Sequence, residues 1–148
     1  MSVIVTLDGS AGARAAIRPG AALARRLGTN LVLLHIHRPS ARAANLFDEA
    51  ERARAVAEEL ERWREELRRE AEGVSGVGVT IDVRPLGDFF YLTDAIVQAI
   101  EAHAGEYVVM STRGESAIRH LVMGSVALDV VAHSPVPVVL VRPGVEYT

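Results

Sequence analysis

Strand-length apolar runs alternate along this chain with stretches of helical spacing, and no feature constrains the fold more. The runs are Val3–Leu7, Asn30–His37, Val79–Pro85, Tyr107–Met110 and Val136–Val141. Between them, Ala13, Ile17, Ala21, Ala24 and Leu27 recur every three or four residues, as do Leu92, Ile96, Ala99 and Ile100, and VALDVVAHS after Ser125 reads the same way. Such alternation predicts a parallel sheet with helices on both faces and right-handed crossovers. At 148 residues, 49% hydrophobic and 24% charged, the chain has the size and balance of one globular domain spanning 1–148.

The longest helical pattern runs from Asn45 to Glu72. Leu46, Ala50, Ala53, Ala57, Leu60, Trp63, Leu67 and Ala71 form a predicted apolar stripe, with Glu58/Arg62 and Glu65/Arg69 outside it. Too few heptads are present for a partner-binding coiled coil, so the stripe is expected to pack on the sheet. Pro19 falls inside the first helical pattern and is expected to kink or divide it, and Gly28 suits its C-terminal end. Residues 73–78 read as a loop, and Thr93 or Asp88 is the expected cap of the third helix.

The last strand carries Pro135 and Pro137, which cannot donate to a ladder, so it belongs at a sheet edge. An edge made of Val138, Val139, Leu140 and Val141 invites cover by the same strand of a second copy, giving a two-fold homodimer; the monomeric alternative needs a loop or the C-terminal tail, short after Pro143, to cap it.

Composition removes several functions. The net charge of −3 gives no reason to expect nucleic acid. All sixteen basic residues are arginine, which excludes Walker-type and Schiff-base lysine chemistry. Without cysteine there are no disulfides, zinc–thiolate sites or thiol nucleophiles. No run approaches the ~20 apolar residues of a membrane span, and MSVIVTLDGS lacks the features of a signal peptide, so a cytoplasmic protein is expected.

The chemistry concentrates between Tyr107 and Ser125, YVVMSTRGESAIRHLVMGS. An apolar strand stops at Ser111, Thr112 and Gly114, and ten residues on Gly124-Ser125 opens a helix. Glycine breaks let main chain approach a phosphate, and a helix N-terminus offers amides and a favourable dipole. Arg113 can add charge-assisted contacts. Asp8-Gly9-Ser10 ends the first strand and meets this loop if the first and fourth strands are neighbours; Asp8 then suits a ribose, an adenine edge or magnesium, and suits a turn or cap equally well. Walker, G-x-G-x-x-G and G-x-S-x-G patterns are absent. His35 and His37 share one side of a strand without the further ligands of a metal site, and His103, His120 and His133 read as surface or half-buried.

These residues resemble the universal stress protein family over essentially the whole length. The match is carried by VIVTLDGS, LVLLHI, Gly87-Asp88 and MSTRGESAIRHLVMGSVALDVVAHSPVPVVLVRP. Nucleotide-binding members carry G-x2-G-x9-G-[ST]; here the spacing is intact as Ser111-x2-Gly114-x9-Gly124-Ser125, with serine in place of the first glycine. The resemblance implies an α/β three-layer sandwich of the adenine-nucleotide alpha-hydrolase type, with a five-stranded parallel sheet ordered 3-2-1-4-5 and a homodimer through the last strand. It implies ATP, with magnesium held through the phosphates, between the first and fourth strands. Thr6, Leu7, Asp8 and Ile36 match the adenine and ribose side. Met110, Ser111, Arg113 and Gly114 match the ribose and first phosphate, and Gly124, Ser125 and Val126 the phosphate clamp. Serine at 111 puts a Cβ near the sugar at little cost if φ there is negative.

The expected function is an ATP-binding homodimeric stress-response regulator with an unidentified protein partner, not an enzyme, and with slow hydrolysis at most. Two alternatives stand beside it. One is a nucleotide-free dimeric interaction module of the same fold. The other is a pyrophosphatase- or synthetase-type enzyme, disfavoured because Asp8-Gly9-Ser10-Ala11-Gly12 is not the S-G-G-x-D-S such enzymes need.

Overall fold

The computed structural model describes residues 1–112 and 123–147. In chain order the elements are β1 (Ser2–Thr6), α1 (Ala11–Arg14), α2 (Ile17–Leu27), β2 (Asn30–His37), α3 (Ala41–Ala44), α4 (Glu49–Glu72), β3 (Val79–Pro85), α5 (Leu92–Ala102), β4 (Gly105–Ser111), α6 (Ser125–His133) and β5 (Val138–Val141). The strands form one all-parallel sheet in the order β3-β2-β1-β4-β5. This is the expected doubly wound order, and it makes β1 and β4 neighbours.

Continuous apolar runs are what a strand covered on both faces requires. Val3, Val5, Leu7, Leu31 and Leu33 pack with Ala13, Ile17, Ala21, Ala24 and Leu67, from α1, α2 and α4, on one side. Ile4, Val32, Leu34, Ile36, Val108 and Met110 alternate with them and pack on the other side against α5 and α6, through Ala95, Ile96, Ala99, Ile100, Ala127 and Val130.

Several elements differ from expectation in instructive ways. The first helical pattern is divided at Ala15-Ala16, ahead of Pro19. Pro19 becomes the third residue of α2, in the first turn, where its missing N–H has no intrahelical partner to lose. The long helix begins at Glu49, because the Asp48 carboxylate accepts from the amides of Ala50 and Glu51 at 2.8 and 3.2 Å. Its stripe holds over Leu60, Trp63, Leu67 and Ala71 but not before, since Ala50, Ala53 and Ala57 are exposed while Arg52, Ala55, Val56 and Glu59 turn inward. Neither expected residue caps α5, whose N-cap is Tyr91 with no side-chain bond. The Thr93 hydroxyl instead donates to Asp129 Oδ2 at 2.5 Å and ties α5 to α6. The last strand starts at Val138 rather than Val136, and it does occupy an edge.

Candidate functional site

A cavity of about 510 Å³ opens beyond the carboxyl ends of β1, β2 and β4. That is where the strand order reverses and where open α/β sheets bind ligands, and its size is typical of small-molecule sites. Of the expected site residues, Thr6, Leu7, Asp8, Ile36, Met110, Ser111, Gly124, Ser125 and Val126 all line it. Arg113 and Gly114 lie outside the described residues.

Local chemistry fixes the β1–α1 turn. Asp8 Oδ1 accepts from the Ser10 amide at 2.9 Å and from its hydroxyl at 2.6 Å, and Ser10 Oγ accepts from the Ala13 amide at 3.0 Å. Asp8 therefore orients the residue that caps α1. Gly9 between them has φ of 89°, and a Cβ there would sit 2.4 Å from Trp63 Cη2. Both conformation and space demand glycine.

On the opposite wall, Ser111 ends β4 opposite Val141, buried and with negative φ. The serine in place of glycine therefore carries no backbone strain. Gly124 caps α6 at φ −70°. Its amide donates to the Thr112 carbonyl at 2.5 Å, so this N–H, expected to face a phosphate, is held by the protein. The first-turn amides of Ser125, Val126 and Ala127 have no intrahelical acceptor, and these three residues line the cavity. The amides without an intrahelical acceptor thus begin at Ser125, one residue beyond the glycine.

On the β2 and α4 side of the cavity sequence reasoning found only Ile36 and missed His35, His37, Arg38 and Trp63. Trp63 stacks on His35, with ring centroids 3.7 Å apart and planes inclined by 19°. His35 Nδ1 lies 2.7 Å from the Leu7 carbonyl, which can only accept, so Nδ1 carries the proton. Burial lowers the His35 pKa below the ordinary 6.5 by disfavouring the charged ring. The Leu7 carbonyl works the other way, as do the charges of Asp8 and Glu66, while His37 reinforces the lowering.

His37 Nε2 lies 2.9 Å from Glu59 Oε1. The Ser40 amide donates to the same oxygen at 2.9 Å, and the Ser40 hydroxyl donates to Oε2 at 2.5 Å. Burial opposes ionisation of Glu59, but the Ser40 hydroxyl and amide, with His37, outweigh it and hold the pKa at about 2. Glu59 is 8% exposed. It joins α4 to the β2–α3 turn and so fixes the wall carrying Trp63. The only signal in the sequence was a glutamate on the inner face of a helix, four residues before the sole tryptophan. Among the described residues no group of three or more His, Asp or Glu could hold a metal ion, and no helix is long and apolar enough to cross a membrane.

Fold and cavity together define a doubly wound α/β protein with a cleft at its switch point. Solved structures share this fold. One is a universal stress protein in complex with cAMP, 19% identical, with a TM-score of 0.65 over 97% of this chain and 98% of that one. Another is the universal stress protein from Archaeoglobus fulgidus in complex with dAMP, 23% identical, with a TM-score of 0.59 over 95% of this chain and 96% of that one. The "universal stress protein in QAH/OAS sulfhydrylase 3'region" of Thermus aquaticus is 32% identical over 145 residues, 95% of this chain and 98% of that protein. The family profile described as "Universal stress protein family" matches residues 1–142. This chain belongs to the universal stress protein family.

Proposed function

We propose that the chain binds an adenine nucleotide in the β1–β4 cleft, ATP with magnesium held through its phosphates, and acts as a homodimeric regulator rather than a catalyst. One observation carries the reading: residues from four separate segments, around Asp8, Ile36, Met110 and Ser125, line one cavity of about 510 Å³. The donor set fits the ligand. First-turn amides of α6 suit phosphate oxygens, and Leu7, Ile36 and Met110 offer apolar surface to a base. Relatives of this fold in complex with cAMP and dAMP support an adenine nucleotide. Bound ATP would supply charge and bulk at the mouth of the cleft, and its presence or absence would alter contacts with a protein partner.

The homodimer would form through Val138, Val139, Leu140 and Val141. β5 lies at the sheet edge and Val139 is 36% exposed, which leaves apolar surface for a second copy to cover.

Equilibrium dialysis of the purified protein against ATP and magnesium tests the reading, with saturable binding expected. Gly124→Val should weaken it at least tenfold while the fold persists, because φ at 124 suits any residue and, among the described residues, the nearest atom to an added Cβ is 3.6 Å away. Absence of adenine nucleotide binding would overturn the proposal. It would favour a second reading, a nucleotide-free interaction module, to which the Gly124 amide bonded within the chain already lends weight.

A further inference from the structure

A second hollow, of about 790 Å³, follows α2 and is closed off by the end of α4, the turn after it, and Tyr147. Charge sets it apart from the rest of the molecule. The whole chain carries a net charge of −3. Yet Arg14, Arg18, Arg25 and Arg26 all line this hollow, against Glu70 as the one acid among the described residues around it.

Two of the four arginines are tethered. Arg25 Nη1 donates to the Ser75 carbonyl at 2.8 Å. Arg14 Nη1 donates to the Gly9 carbonyl at 3.4 Å, and its guanidinium lies 3.6 Å from Glu70 and 3.9 Å from Glu66. The other two, Arg18 and Arg26, are exposed and have no hydrogen bond or ion pair among the described residues. They stand eight residues apart in α2, about 12 Å along its axis. Half-buried Ala22 lies midway between them on the same i, i+4 ridge. Ala22 and Val74 add apolar surface to the groove. Like charges gathered on one side of a helix repel, and an anionic occupant relieves that repulsion.

We infer that this groove docks an acidic amphipathic helix of a protein partner. Charge complementarity chooses the sign, and the ridge chooses the shape. Carboxylates eight residues apart on a second helix repeat the Arg18–Arg26 spacing, and each guanidinium fork can donate two parallel hydrogen bonds to one of them. Ala22 carries only a methyl group, so apolar side chains of the docked helix can come down between the two arginines, as helices do in grooves. A single small anion satisfies one end of the ridge and leaves the other unused. The inference stands whether or not the cleft binds nucleotide. It does put the partner beside that cleft, because Ala13 lines the cleft and Arg14, the next residue of α1, lines the groove.

The test uses the full-length protein and a fluorescein-labelled helical peptide of about four turns, built from Glu, Leu and Ala with Glu at every fourth position. Fluorescence anisotropy at low salt should show saturable binding in the micromolar range. Replacing every Glu of the peptide by Gln should weaken it about tenfold, and so should Arg18→Glu or Arg26→Glu in the protein. Arg54→Glu makes the same change in net charge at an exposed position of α4, about 24 Å along that helix from Glu70, and should leave the affinity within about twofold. Amide shifts on binding should gather at residues 17–27 and 73–75. No binding overturns the docking site, as does weakening by Arg54→Glu equal to that by the α2 variants, or amide shifts gathered elsewhere. Displacement of the peptide by equimolar inorganic pyrophosphate also overturns it and marks a site for small anions instead. Should a charge reversal in α2 prevent folding, the amide shifts in the wild type decide.

Discussion

Trp63 lies flat on His35, and the far edge of its indole reaches across to Gly9, where no side chain can stand. One side chain from α4 thus spans the ends of β1 and β2 and forms a wall of the cleft. Gly9→Ala should therefore do two things at once. It forces a Cβ onto φ of 89°, costing about 1–2 kcal/mol, and it pushes the indole off the imidazole. The expected outcome is a lowered denaturation midpoint, together with a red-shifted Trp63 emission that no longer responds to pH near neutrality.

Stability should fall in two steps on acidification. His35 has a folded-state pKa below its unfolded value of 6.5. Below pH 6.5 the unfolded chain binds the proton first, so stability is complete above that pH and declines as pH drops toward the folded value. Glu59 acts in a lower window. Its pKa falls from 4.5 to about 2 in the folded state, so the stability it contributes is present above pH 4.5 and is lost between there and about pH 2. Urea denaturation at pH 8, 6, 4.5 and 3 should resolve both steps, and His35→Phe should remove the upper one alone.

Glu59 accepts three hydrogen bonds, and its charge strengthens each of them. Glu59→Gln should cost roughly 1.5–3 kcal/mol, most of it by loosening α4 from the β2–α3 turn. Amide exchange should quicken at Ser40, whose N–H donates to this carboxylate, and the lower acid step should disappear. An unchanged Ser40 exchange rate would mean that the carboxylate does not fasten the turn.

Periodicity and proline carried the fold. β2 and β3 begin and end where the apolar runs do, and Pro135 and Pro137 mark the edge strand, because these are local consequences of backbone chemistry. The cavity residues expected from the motif and the resemblance sit at the carboxyl ends of β1, β2 and β4, in the turn after β1 and in the first turn of α6, where spacing along the chain translates directly into position. The α4 wall was not legible. A glutamate on the inner face of a helix is indistinguishable in sequence from a solvated one, and only the fold brings Ser40 and His37 to it. The same limit hid the Gly124 amide, whose partner Thr112 stands twelve positions earlier in the chain, a contact that spacing alone does not reveal.

The edge strand supplies the last test. β5 pairs only with β4 among the described strands, so its outer backbone groups face away from the sheet, and Val139 is partly exposed, with Leu128 and Val131 of α6 also exposed at 60% and 45%. Burying such apolar surface is worth about 25 cal/mol per Å², and a charge placed there must be desolvated when a second copy docks. Val139→Arg should therefore convert a dimer to a monomer in light scattering, with little change in the stability of the monomer, since the substituted side chain is already partly in water. Because the cavity is lined by none of the residues of β5, any ATP affinity should survive the substitution. A wild type that is monomeric at micromolar concentration would refute the dimer, and a variant that loses dimerisation and ATP together would show that the two are coupled through β4.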